Sequence, residues 1–205
     1  MPSHNFTAPF LHWAPVPQHH QIKSFLLPKI QQHQQTYGKK ETGGAITSFF
    51  SAVEDNAPVL GKDLIDAIIW QQFDKMIEER QFSPTIVESK IKHLWFNSYQ
   101  PGDYAIAHHH TDADFCGIYL LDVPDKNNTL FHTNTSSAHY PFDMGAYHTD
   151  HIEEGNVMFW PSHLMHSASP CKTERNIVVF NILSGYDFTY DDADNHILDL
   201  SLIHI

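Results

Sequence analysis

The chain has 205 residues and a hydrophobic fraction of 41%, enough for one domain with a substantial core and a modest extension. Its formal net charge of −12 argues against partners recognised through a polyanion backbone, which needs clustered Lys and Arg, so no nucleic acid is expected as a partner. Only Cys116 and Cys171 occur, there is no run of about 18 apolar residues, and the opening MPSHNFTAPFLHWAPVP lacks a basic region and an apolar core; these features exclude a disulfide scaffold, a membrane span and a signal peptide, and make a reducing cytoplasm the expected location.

Residues 1–61 read as irregular, with Pro15, Pro17 and the pair Gly43-Gly44 breaking long elements and a short helix between Ile22 and Gln35. His4, His12, His19, His20 and His33 lie in this Pro- and Gln-rich stretch and are expected at the surface. A helix is expected from Lys62 to Arg80, where Leu64, Ile65, Ile68, Ile69, Phe73, Met76 and Ile77 recur on one helical face; Phe82-Ser83-Pro84 ends it. From His93 the pattern changes to short β-rich runs at His93–Tyr99, Tyr104–His110, Gly117–Val123, Thr129–Thr133, Asn156–Trp160 and Arg175–Leu183. Turn signals at Pro101-Gly102, Pro124-Asp125, Glu154-Gly155 and Ser184-Gly185 separate them, so the expected class is mainly β with supporting helices, a sandwich or jelly-roll barrel. The expected organisation is a supporting extension over 1–92, a barrel over 93–185 and an acidic, solvated segment over 186–205 holding Asp187, Asp191, Asp192, Asp194 and Asp199.

The chemistry-bearing residues lie inside the barrel segment. Alternate residues of a strand share a face, so in Ala107-His108-His109-His110-Thr111-Asp112 a strand would present His108, His110 and Asp112 together. The pair of ligands is then His110 with Asp112 or His108 with His110, and the carboxylate favours the first for an iron that activates dioxygen. A lone His-x-Asp arises often by chance. The downstream order strengthens it: Gly155 to Pro161 reads as turn, apolar strand and Pro, then come His163 and His166, then Arg175 opens the last apolar strand. Two His and one carboxylate form the facial triad of non-heme iron sites. Arg175 adds a planar fork suited to an organic carboxylate, and Arg80 is the only other arginine.

The ordered set formed by Asn97 to Asp103, His108 to Asp112, Phe115 to Leu120, Gly155 to Pro161, His166 and Arg175 to Asn181 resembles the Fe(II)/2-oxoglutarate-dependent oxygenases, in particular their prolyl-hydroxylase-like bacterial and phage branch. The resemblance covers His93 to Gly185 and implies a double-stranded β-helix (jelly roll). It implies Fe(II) held by His110, Asp112 and His166, with His108 as the alternative ligand where the strand reads His-x-His. It implies 2-oxoglutarate held by Arg175 with Tyr99 and Tyr119 nearby, and dioxygen as co-substrate in the hydroxylation of a peptide side chain or a small molecule. Two rivals remain: a cupin-like dioxygenase using His108, His110 and His166 without 2-oxoglutarate, and a jelly-roll binding protein without catalysis.

Overall fold

Strand alternation governs the architecture. The computed structural model describes residues 10–53, 62–80, 89–134 and 144–184. In chain order the strands are β1 (His12–Pro15), β2 (Lys39–Lys40), β3 (Ile46–Thr47), β4 (Ser89–Tyr99), β5 (Ala105–His108), β6 (Phe115–Asp122), β7 (Thr129–Asn134), β8 (Met144–His148), β9 (Asn156–Pro161), β10 (His166–Ala168) and β11 (Arg175–Ser184). The helices are α1 (His19–Tyr37), α2 (Phe49–Val53) and α3 (Lys62–Glu79). The strands form a seven-stranded sheet, β1-β9-β6-β11-β4-β3-β2, and a four-stranded sheet, β5-β10-β7-β8. This is the mainly β, two-sheet jelly-roll arrangement that the short strands anticipate.

The large sheet is buried on both faces, so its central strands are near-continuous apolar runs. On β6, Phe115, Tyr119 and Leu121 face α1 and α3 and join a core with Leu26, Ile30, Ile65, Ile69, Phe73 and Phe180. The alternate residues Cys116, Ile118 and Leu120 face the other way and join Trp95, Tyr99, Phe131, Met158, Trp160, Ile177 and Val179 between the sheets. Gly117 lies on the helix side; a Cβ there would stand 2.2 Å from Phe180 Cζ and 2.4 Å from the Met158 carbonyl oxygen, so only glycine lets Phe180 seal this layer.

The N-terminal region departs from the irregular reading. It contributes β1, β2, β3 and a helix of 19 residues, longer than the expected Ile22–Gln35 segment. Leu26 and Ile30 of that helix are fully buried, so packing on the large sheet sustains it across Pro28. His12 and His33 are buried, and His19 bonds to Tyr119 and Glu154, so these three are packing residues rather than surface ones. The expected turns at Phe82–Pro84 and Gly185, His4, and the acidic segment 186–205 lie outside the described residues.

Candidate active site

Two strands of the small sheet bring the first histidines together. His108 closes β5 and lies directly opposite His166 on β10. Between His166 and Ala168 the ladder slips: two steps on β10 match three on β5, a bulge that redirects the end of β5. Beyond His108 the chain leaves the strand, and the His110 amide donates to the Ser162 carbonyl at 3.0 Å. One ring nitrogen each of His108, His110 and His166 then lie within 4.8 Å of one another.

Asp112 does not join them. The alternation that would place it there requires a strand through residue 112, and β5 ends at His108. Its carboxylate lies 3.1 Å from Lys92 Nζ and 3.6 Å from His93 Nδ1, while Lys92 also donates to the Asp112 carbonyl. The cluster that could hold a metal ion therefore contains the alternative residue, His108, and Asp112 stands outside it. His163 is exposed and outside the cluster.

The donor chemistry of the three histidines fits a divalent metal. His108 Nδ1 faces the Ile106 carbonyl at 2.8 Å, His166 Nδ1 the Leu164 carbonyl at 2.9 Å, and His110 Nδ1 the Asn181 Oδ1 at 2.7 Å. A nitrogen facing an oxygen acceptor carries the proton, so each Nε2 is left as a lone-pair donor, the arrangement that orients metal-binding imidazoles. Burial, reinforced by the neighbouring His108, pushes His166 down to about 3. Burial lowers His110 as well, against the Asn181 hydrogen bond. Both are neutral near pH 7, as ligation requires.

A cavity of about 50 Å³ runs from these histidines to Arg175, with Trp95, Ile118, Trp160, Ile177 and Val179 among its walls. Arg175 opens β11 opposite Tyr99 and is 2% exposed. Its guanidinium bonds Asn128 Oδ1, Asn127 Oδ1 and Thr129 Oγ1 and lies 5.4 Å from the Tyr99 ring centre. All three partners are neutral, no acidic side chain pairs with it among the described residues, and its Nε has no partner. A buried cation without a counter-ion is costly, and a carboxylate entering the cavity would supply one. Arg80, by contrast, is exposed at the end of α3 and bonds the Leu11 carbonyl.

The two tyrosines part company. Tyr99 lines the cavity beneath Arg175, and burial raises its hydroxyl pKa. Tyr119 lies on the opposite face of β6, fully buried against α1, with its hydroxyl 2.7 Å from His19 Nδ1; strand parity keeps it from the cavity. Sequence reasoning missed Asn127, Asn128 and Thr129, which cradle Arg175, and Asn181, which orients His110. Asn127-Asn128 is a signal in itself, since a loop with paired amides can satisfy a buried guanidinium.

The family described as “Putative 2OG-Fe(II) oxygenase” matches residues 93–181, the segment that carries every residue of this cavity. No curated protein matches the chain. Among solved structures, the chain is similar to a prolyl-4-hydroxylase of Pseudomonas putida, with TM-score 0.56, 12% identity, and 83% of this chain and 91% of the other covered. It is also similar to the viral collagen prolyl hydroxylase of Paramecium Bursaria Chlorella virus-1 in its 2OG complex, with TM-score 0.55, 12% identity and coverages of 84% and 94%. A third similar structure is the non-heme alpha ketoglutarate dependent epimerase SnoN from nogalamycin biosynthesis, with TM-score 0.59, 11% identity and coverages of 84% and 77%. At such identities the likeness establishes the shared jelly-roll fold.

Proposed function

We propose that this chain is a 2OG-Fe(II) oxygenase, the family whose model matches residues 93–181, that it holds iron on His108, His110 and His166, and that it binds the distal carboxylate of 2-oxoglutarate through Arg175. The observation that carries this reading is that three imidazoles and a buried guanidinium without a counter-ion among the described residues line one cavity. Iron bound there, with 2-oxoglutarate and dioxygen, supplies the oxidation of an unactivated C–H bond coupled to decarboxylation of the 2-oxo acid to succinate.

The protein's own residues contribute charge, position and dryness. Three neutral ligands leave the full charge of a divalent ion uncompensated, and Arg175 adds one more positive charge. A dianionic co-substrate that spans both ends neutralises most of it. The Arg175 fork, held by Asn127, Asn128 and Thr129, fixes one carboxylate, and the apolar side chains of Ile118, Ile177 and Val179 cover the chain between the two ends and exclude water. The substrate is a polypeptide side chain or a small molecule. Prolyl hydroxylases, one of them a Trichoplax adhaerens enzyme in complex with a hypoxia inducible factor peptide fragment, support the first. The epimerase supports the second.

The test is an anaerobic calorimetric titration with Mn(II) as the metal, then with 2-oxoglutarate, followed by a succinate-release assay over peptides and small molecules. Wild-type protein should bind one metal and then 2-oxoglutarate. His108→Ala, His110→Ala and His166→Ala should each lose the metal, while Asp112→Ala should keep it. Retention by His108→Ala together with loss by Asp112→Ala would return the carboxylate to the ligand set. Metal binding without any 2-oxoglutarate affinity would favour the cupin-like reading, which uses the same three histidines.

A further inference from the structure

A residue that lines the cavity carries a second buried donor without a partner among the described residues. Trp160, the penultimate residue of β9, is 1% exposed, lines the cavity, and its indole Nε1 has no hydrogen-bond partner among the described residues. Its ring is wedged edge-on between Phe131 and His166, with both ring centres at 5.0 Å. Register places it at the histidine end. Trp160 pairs with Cys116 across β6, and Cys116 pairs with Asn181 on β11, the residue that holds His110. Arg175, whose Nε is likewise without a partner, stands at the other end of the same strand.

Buried N–H groups are rarely left unmade, because the lost hydration is not recovered until an acceptor arrives. Two lining residues at opposite ends of one narrow cavity, each with a donor lacking a partner among the described residues, suit a ligand with acceptors at both of its ends and an apolar middle. The dicarboxylate already assigned to this cavity has that pattern. We propose that the Trp160 indole N–H donates a hydrogen bond to an oxygen at the oxo-acid end of 2-oxoglutarate, so that Trp160 is a co-substrate-binding residue as well as a packing one. This rests on the reading of the cavity as a 2-oxoglutarate site. Burial beside His166 suits the role: the donor needs no reorganisation when the ligand enters, and an indole N–H adds no charge to an already cationic site.

Trp160→Phe retains a ring against Phe131 and His166 and deletes the N–H. Mn(II) affinity, measured by titration, should match wild type. Calorimetric affinity of the Mn(II)-loaded protein for 2-oxoglutarate should fall by roughly tenfold or more, the usual scale for a hydrogen bond to a charged acceptor. The melting temperature of the ligand-free variant should be unchanged or higher, since an unmet donor has been removed, while the rise on adding 2-oxoglutarate should shrink. Trp13→Phe, an exposed Trp on β1, should leave all three readouts unchanged. Unaltered 2-oxoglutarate affinity in Trp160→Phe would overturn the proposal, and so would a parallel loss of Mn(II), which would make Trp160 a support for His166 alone. Should the Phe variant not fold, β-(3-benzothienyl)alanine at position 160, in which sulfur replaces the N–H, gives the same reading with the ring shape kept. Failure of wild-type protein itself to bind 2-oxoglutarate would instead refute the functional reading.

Discussion

Single side chains decide what the cavity can hold. Arg175 is expected to hold a carboxylate through its planar fork, and a charge-assisted hydrogen bond of that kind contributes on the order of 1.5–3 kcal/mol. Arg175→Ala should therefore weaken 2-oxoglutarate by roughly one to two powers of ten, with metal affinity far less changed. Arg175→Lys should recover little, because an ammonium has no planar fork. Asn181 acts one step behind His110. Its Oδ1 is the acceptor that fixes the Nδ1–H tautomer, and Asn181→Ala should lower Mn(II) affinity by roughly 10–100-fold while Asn181→Asp preserves or strengthens it. Equal affinities in all three proteins would show that Trp95, whose ring stacks on His110, orients the imidazole alone. The sequence singled out His110, His166 and Arg175, and all three meet in one cavity. It favoured Asp112 over His108, whereas the structure groups His108 with the other two histidines. That choice depends on where β5 stops, and a bulge and a single Ser162 hydrogen bond set the stop without any marker residue. Tyr119 was misplaced for a related reason. β6 is buried on both faces, so its apolar run conceals which parity faces the cavity.

At the scale of elements, the β-rich runs were legible where three or four apolar residues follow one another, as in β4, β6, β9 and β11. Short strands were not. β1, whose His12-Trp13-Ala14-Pro15 contains a proline, pairs with β9 at the edge of the large sheet, and β10 has three residues whose register is set by β5 and β7. Such strands take their conformation from neighbours rather than from propensity. The internal order of the large sheet gives a sharp test. Gly117→Ala would force a methyl group to within 2.2 Å of Phe180 Cζ and 2.4 Å of the Met158 carbonyl oxygen. Overpacking of this kind costs about 1–3 kcal/mol, and the carbonyl, being backbone, cannot turn aside. Chemical denaturation should show that loss. Gly102→Ala is the useful contrast: a Cβ there meets nothing within 4 Å, so any loss would come from its positive φ of 93° alone. Equal stability of Gly117→Ala and wild type would mean that Phe180 repacks freely and that the seal between sheet and helices is loose.

Across the whole molecule, the start of α1 is fastened to the barrel by a polar network at the far side of the large sheet from the cavity. Lys23 lies 2.6 Å from Asp122 and bonds both oxygens of Glu154, at 2.8 and 2.9 Å. Glu154 also accepts from the Val123 amide and approaches His19, which reaches Tyr119. The loop before β9, the end of β6 and the start of α1 thus share one carboxylate. Burial disfavours the charge on Glu154, but Lys23, the Val123 amide and His19 together outweigh it and hold its carboxyl below the ordinary value. A depressed carboxyl contributes stability that is present above the unfolded pKa of about 4.3 and is lost as pH falls through the lower folded value. The Glu154 contribution should therefore be fully present from neutrality down to about pH 5 and be lost only in stronger acid. Glu154→Gln keeps the shape and an acceptor but cannot ionise. Urea unfolding of the variant and wild type should differ most between about pH 5 and 8, and the difference should shrink steadily below about pH 4 as wild-type Glu154 takes up its proton. A difference that stayed constant down to pH 3 would mean that the Gln variant loses packing rather than charge, and that the tie between α1 and the barrel is apolar, through Leu26 and Ile30.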